Sequence, residues 1–504
     1  NVLWVQRHAL FARSLRSSVA VAATLFTTAA GIISDLTGRV TGADVAEDKV
    51  LGRHLIATRD LKVGEVILHE LPLVSGPPQI TPPVCLGCYN LLKEQTAIPC
   101  PDCGWPMCSM ECARNPAHRP ECDITKYRKG SQIAVRNFEQ PHPLYQCITT
   151  LRCLNFRNSN PVVWDKLNAL QSHCEERRKT PQYEQERVTV AQFIRKFFKM
   201  EEFTEEEIMH ICGVIQVNGH EVPLTEPTYV AVYEEASFLE HNCRPNCTKS
   251  FTEEGGLKIR IMEPVLKGQH LSISYTDVLW GTANRRHHLN ETKFFWCKCA
   301  RCADPTELDT YFSGVRCLDK WRCLRCSVSE PAYRVLTILQ RIGSDLSSMK
   351  KGDIHHCERF LAKYSPELHP NHYYLTDVKI ALVQLFGQES ASGMMGVSDV
   401  NLKQKVSMCR QMLNLVNMLV PAEHRVRGVL TFELHAATAE IARRASITGN
   451  LSPMALRDGL LVSLKKKKLK NDLDLSMLTC SVCFCSCINL IYLTSTVTVQ
   501  VFMY

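Results

Sequence analysis

The body of this chain lacks any sizeable excess of charge of one sign. The 504 residues carry a formal net charge of +8, yet three of those charges (Arg7, Arg13, Arg16) fall in an acid-free stretch over residues 1–34. A net three more lie in residues 461–504, where Lys465 to Lys468 and Lys470 outweigh Asp472 and Asp474, so residues 35–460 keep only +2. A body so near neutrality has no general means of holding a nucleic-acid backbone, and strong nucleic-acid binding is not expected. A convincing secretory signal is also lacking. Composition is that of globular domains, 45% hydrophobic and 22% charged, which excludes a wholly disordered chain, a collagen and a small disulfide knot; the length suggests about three domains.

The two ends are the least informative parts. Residues 1–34, with the apolar run Val19–Leu25, faintly resemble a mitochondrial presequence, although a disordered extension is the plainer expectation. Nothing after Asp474 is charged, but Ser, Thr, Asn489 and Gln500 are scattered through that tail, and no membrane association is expected. Cys480, Cys483, Cys485 and Cys487 in the tail follow no usable pattern.

What the sequence has in quantity is cysteine, 25 residues of it. Tight pairs joined by a histidine favour zinc over disulfides, and with it a reducing compartment, cytoplasmic or nuclear. Residues 85–122 contain four ligand pairs in succession: Cys85/Cys88, Cys100/Cys103, Cys108/Cys112 and His118/Cys122. Zinc takes four such donors in a tetrahedron, so eight ligands make two closed structural sites, and in so short a segment the metal supplies much of the folding free energy. Lys93, Arg114 and Arg119 against Glu94, Asp102, Glu111 and Glu121 leave this segment near −1, a poor phosphate binder and a better fit for a protein partner.

The pattern C-x2-C, C-x2-C, C-x3-C, H-x3-C resembles a MYND finger. That resemblance implies interleaved coordination, with Cys85, Cys88, Cys108 and Cys112 on one ion and Cys100, Cys103, His118 and Cys122 on the other, and a surface for proline-rich peptides of partner proteins. Upstream, LGRHLIATRDLKVGEVILHELPLV (51–74) reads as strand, turn and strand, and short strands return over 210–277 with ASFLEHNCRPNC (236–247) and LSISYTDV (271–278). Together these segments resemble a SET domain split by a MYND insertion, the architecture of the SMYD family of protein-lysine methyltransferases. GRHLIATRDLKVGEVI and KFFWCKCARCADPTELDTYFSG are similar to arthropod-type members, and the resemblance spans roughly residues 50–440.

The expected fold class is therefore α+β: a SET-type β domain interrupted by a MYND zinc finger and a helical insert, followed by a helical, TPR-like C-terminal domain. The organisation reads as an N-terminal extension (1–47), the first part of the SET domain (48–84), the finger (85–122), the helical insert (123–209), the core SET domain (210–285), a post-SET zinc-binding region (286–329), the helical domain (330–460) and a tail (461–504). Amphipathic spacing marks VTVAQFIRKFF (188–198) in the insert and five successive helices beyond residue 330.

Cys297, Cys299 and Cys302 leave a tetrahedral zinc one ligand short. The resemblance supplies the fourth as Cys243, for three zinc ions in all; Cys317, Cys323 and Cys326 look like a remnant for which no metal is expected. The resemblance also implies S-adenosylmethionine as cofactor, a protein lysine as substrate, Tyr275 as the catalytic tyrosine, and cofactor contacts at Arg53, His54, Asn218, His241, Tyr275 and Phe295. Three positions depart from the family pattern: Glu240 stands for asparagine, Gly52-Arg53-His54 for G-x-G, and Lys293 for a second channel tyrosine. A cation at the channel mouth would repel a substrate lysine if it pointed inward. The alternative expectation is a non-catalytic adaptor of the same fold that binds partners through its finger.

Overall fold

A computed structural model describes residues 40–49, 51–129, 132–315, 332–388 and 392–449. These fall into two units, one made of residues 34–277 and 283–299, the other containing 278–282 and the chain from residue 300 onward. Both chain ends and Cys317, Cys323 and Cys326 lie outside the described residues.

The first unit is built on short strands. Ala43–Asp48 (β1) pairs antiparallel with Gly52–Ala57 (β2), and Gly52 takes a φ of +67° that any side chain would strain. Val66–Glu70 (β3) borders a three-stranded sheet ordered β10-β11-β3, where β10 is Cys247–Phe251 and β11 is Leu257–Ile261. β11 reads LKIRI, and its Leu257, Ile259 and Ile261 are fully buried while Lys258 and Arg260 point the other way, as a period of two requires. Val74–Gly76 (β4), His220–Val222 (β7) and Tyr229–Val232 (β8) form a second sheet, β4-β8-β7. Glu240–His241 (β9) and Ser272–Ile273 (β12) pair in parallel, which brings the 239–243 and 271–276 segments side by side.

Between β4 and β7 the chain makes the cysteine-rich finger and the helical insert. The finger hairpin, Ile98–Pro99 (β5) with Pro106–Met107 (β6), turns through Gly104 at φ +80°, where an added Cβ would stand 2.4 Å from the Ile133 carbonyl oxygen. The finger has no separate core. Leu86, Trp105 and Met107 are buried in one cluster with Tyr145, Leu151, Phe198 and Ile211 of the insert. Stretch 188–198, expected as one amphipathic helix, is instead a π-helical turn (Arg187–Gln192) running into a short helix (Phe193–Phe197). The insert closes with the helix Glu205–Asn218, whose start is fixed by a reciprocal cap between Thr204 and Glu207.

In the second unit, helices Ala332–Ser348, Ile354–Tyr364, Tyr373–Leu385, Asp399–Leu419 and His424–Ile447 fall where helical spacing expects them. They bury Phe360, Leu375, Leu382, Met412, Val416 and Leu430 against one another. The histidines here cap and pair: His372 accepts from the Tyr374 N–H at 3.2 Å, and His356 meets Asp353 at 2.9 Å. No helix among the described residues is long and apolar enough to cross a membrane.

Candidate active site and metal centres

Three groups of four ligands come together, with all donor atoms of each group within 4.8 Å of one another: Cys85, Cys88, Cys108 and Cys112; Cys100, Cys103, His118 and Cys122; and Cys243, Cys297, Cys299 and Cys302. Each set is the all-thiolate or thiolate–imidazole donor set of a closed structural zinc site. Left as thiols they are poorly matched. Burial first, then neighbouring sulfurs, push Cys112 up to about 11. Burial likewise pushes Cys122 up to about 12. A dication at the centre is what lets the sulfurs of each group ionise together.

The second group has a buried support. His118 Nδ1 lies 3.0 Å from Glu121, leaving Nε2 on the side of the sulfurs, 3.3 Å from Cys103 Sγ. Glu121 is held in turn by Arg152 Nε and Nη2, at 2.8 and 2.5 Å. Arg152 also donates to the carbonyls of Ser75 and Leu86, both at 2.9 Å, and to the Tyr89 hydroxyl at 2.6 Å. A carboxylate behind a metal-binding imidazole fixes its tautomer and orientation. Here the same carboxylate is bolted by Arg152 to β4 and to the start of the finger.

The third group leads into the candidate active site through His241. The backbone N–H of Tyr275 donates to His241 Nδ1 at 3.0 Å, so the imidazole proton sits on Nε2, which points at Cys243 Sγ 3.2 Å away. Arg285, fully buried on the helix Thr282–Lys293, donates from Nε to the same sulfur at 3.3 Å. Arg286 donates to the Cys297 carbonyl at 2.9 Å. Sequence reasoning missed both arginines.

Around His241 stand the rings of Tyr275, 5.3 Å between centroids, and Phe295, 5.9 Å. The Tyr275 hydroxyl donates to the Leu239 carbonyl across the parallel β9–β12 pair. Burial, then the carboxylate of Glu240, push the Tyr275 phenol well above its ordinary value, so it remains a donor at neutral pH. Arg53 lies over the Phe238 ring at 4.9 Å and donates to the Ala169 carbonyl. Asn218, at the end of its helix, donates to the carbonyls of Gln171 at 2.8 Å and Val214 at 2.9 Å. The His54 imidazole is buried: its Nδ1 lies 2.9 Å from the Gly52 carbonyl, and its ring stacks on His270 at 4.6 Å. What this stretch leaves open is backbone at Gly52, where an added Cβ would meet nothing within 4 Å.

The two charged departures both have partners. Glu240 pairs with His270 Nδ1 at 3.0 Å. The Lys293 ammonium donates to the carbonyls of Val217 and Gln216 at 2.5 and 3.4 Å, in the last turn of the helix Glu205–Asn218, and lies 5.5 Å from the Tyr275 ring centroid. Leu239 and His270 were not singled out from sequence, because a carbonyl acceptor and a cross-strand imidazole leave no spacing signal. The residues present suit a sulfonium cofactor: aromatic faces from Tyr275 and Phe295 favour a cation, and a carboxylate stands nearby at Glu240.

A SET domain family model matches residues 52–276. The chain is 26% identical to the SET domain-containing protein SmydA-8, isoform A, of Drosophila melanogaster, over 67% of this chain and 77% of that protein. It is 26% identical to the histone-lysine N-methyltransferase ASHR1 of Arabidopsis thaliana, over 56% and 60% of the two chains. With the human histone-lysine N-methyltransferase SMYD1 it shares 24% identity over 55% and 59%.

Proposed function

We propose, for a chain that belongs to the SET and MYND domain-containing family, the activity of a protein-lysine methyltransferase that uses S-adenosylmethionine. The observation that carries this reading is the convergence of the Tyr275 hydroxyl, the Leu239 carbonyl and the His241 ring beside Phe295, inside the matched domain. The cofactor, when bound, supplies an electrophilic methyl group on a sulfonium. Everything else required is placement and exclusion of water. The parallel β9–β12 pair sets Tyr275 against Leu239, so hydroxyl and carbonyl oxygen meet at one place where an amine can be oriented. His241 fixes the Tyr275 backbone from behind and passes the rigidity of the third metal group to it. The adaptor alternative rested on Glu240 and Lys293, and each of these has a defined local partner.

The test is transfer of a trideuteromethyl group from labelled S-adenosylmethionine to protein lysines, read by mass spectrometry. Activity in the wild type that disappears in Tyr275→Phe supports the reading; folded, zinc-loaded protein that binds no cofactor by calorimetry overturns it. The substrate is a protein. Two finer points belong to the same proposal: the finger takes proline-rich segments of partner proteins, supported by its near-neutral charge and exposed Leu91 and Met110, and the protein works in the reducing cytoplasm or nucleus, supported by cysteines gathered in zinc-type ligand sets.

A further inference from the structure

The three metal groups do not carry the same electrical load. Four thiolates around one zinc ion leave two negative charges in excess, whereas three thiolates and an imidazole leave only one. The first group can meet its excess with water, since Cys108 is exposed and Cys88 and Cys112 are half-buried. The second is wholly buried but has the smaller excess, and the carboxylate behind its His118 is matched by Arg152. The third combines the larger excess with burial: Cys243, Cys297 and Cys302 are buried and Cys299 is half-buried. A charge of that size away from water is costly unless hydrogen bonds spread it.

Donors converge on one of its sulfurs. Cys243 Sγ receives the Nε–H of the fully buried Arg285 at 3.3 Å and the Nε2–H of His241 at 3.2 Å. A thiol is a weak acceptor with a proton of its own, whereas a thiolate accepts from several sides, so this placement suits a thiolate ligand. The neighbouring arginines are directed elsewhere. Arg244 meets Glu263 at 2.7 and 2.8 Å, and Arg286 gives its Nε–H to the Cys297 carbonyl, with its guanidinium 5.4 Å from the Trp296 ring centroid. We propose that Arg285 supports the third zinc ion: its charge-assisted N–H···S bond draws electron density off Cys243 and keeps that sulfur in the cage. The imidazole that shares the sulfur is the one on which the Tyr275 backbone N–H rests, so the support reaches the edge of the candidate active site. Zinc retention at this group does not itself depend on methyl transfer.

The experiment is pulse alkylation of the full-length, zinc-loaded chain in excess chelator. N-ethylmaleimide labelling is read cysteine by cysteine in mass spectrometry for wild type, Arg285→Met, Arg285→Lys and Arg286→Met. In Arg285→Met, Cys243, Cys297, Cys299 and Cys302 should lose protection about 10- to 100-fold faster than in wild type, while the ligands of the other two groups keep their wild-type rates. Arg285→Lys, still a cationic donor, should lie closer to wild type than to the methionine variant, and so should Arg286→Met. Cys153 and Cys212, buried and outside the metal groups, report general unfolding. In the cobalt-loaded chain, the sulfur-to-metal charge-transfer absorption should move to lower energy in Arg285→Met, because a sulfur that has lost a donor gives up electron density more readily; a loosened helix alone would not move it. Should the methionine variant fail to fold, Arg285→Gln, a neutral side chain, replaces it with the same expected results. Wild-type rates at the third group, equal acceleration of all three groups, labelling of Cys153 and Cys212 in step with the third group, an Arg286→Met protein as fast as Arg285→Met, or an unmoved charge-transfer band overturns the proposal. A wild type that holds zinc in this way but transfers no methyl group overturns the methyltransferase reading alone.

Discussion

Replacing Arg152 by methionine tests how the finger is joined to the rest of its unit. The guanidinium makes two hydrogen bonds to Glu121 and one each to Ser75, Leu86 and Tyr89, with Glu121 fully buried. Methionine fills similar volume but leaves a buried carboxylate without its cation and two carbonyls without a donor. Removing one partner of a buried pair costs about 3–5 kcal/mol, far above the cost of losing a surface ion pair. Glu121 also orients His118, so the second metal group should weaken, by about 10- to 100-fold in affinity as for other supporting carboxylates. Chemical denaturation followed by tryptophan fluorescence, for which buried Trp105 is a local reporter, gives the first quantity. Zinc transfer to a chromogenic chelator gives the second. The double variant Arg152→Met/Glu121→Gln, having no stranded charge, should recover most of the stability but not the zinc affinity. An Arg152→Met protein within about 1 kcal/mol of wild type that holds zinc equally well would refute the reasoning.

Four further outcomes are expected. Tyr275→Phe loses the hydroxyl that meets Leu239 and should slow methyl transfer by about 100-fold while cofactor affinity by calorimetry stays unchanged; an equal loss in both would move Tyr275 from chemistry to binding. Cys243→Ser should reduce bound zinc from three ions to two by atomic absorption, and an unchanged metal content would remove Cys243 from the third group. Glu70, buried beneath the N–H groups of Glu234, Glu235 and Ala236, is raised by burial from 4.5 to about 6. The native state therefore binds more protons than the unfolded one between those values, so this group lowers stability as pH rises from 4.5 to about 6, by about 2 kcal/mol in all. Denaturation curves of Glu70→Gln across that window should lack this component. Gly104→Ala should be destabilising by well over 1 kcal/mol, since both its φ of +80° and the Ile133 carbonyl oppose a side chain; a neutral effect in denaturation would show that the hairpin relaxes freely.

How much of this was legible in the sequence depended on range along the chain. The eight ligands of residues 85–122 announce themselves because zinc constrains donors a few residues apart, and the five late helices because burial on one face leaves a period near 3.6. The grouping of Cys243 with residues more than fifty positions away came only through family resemblance, as did the places of Tyr275 and Phe295. The network of Glu121 with Arg152 and the bond from Arg285 to Cys243 left no trace, since each joins residues whose proximity is made by packing rather than by spacing. Lys293 shows the limit most clearly. Its identity is plain in the sequence, but whether its charge is a hindrance or a fixture depends on two carbonyls of another helix. The π-helical turn at Arg187–Gln192 shows the converse, a regular apolar pattern that tertiary packing wound differently.

The single imidazole between Cys243 and Tyr275 means that a structural metal group and the candidate catalytic hydroxyl are one side chain apart. An oxidant or chelator that emptied the third thiolate cage would not need to unfold anything to silence the enzyme. Releasing the sulfur removes one of the contacts that hold His241, the side chain on which the Tyr275 backbone N–H rests. Catalytic output and thiol integrity would decline together, well before the sheets came apart.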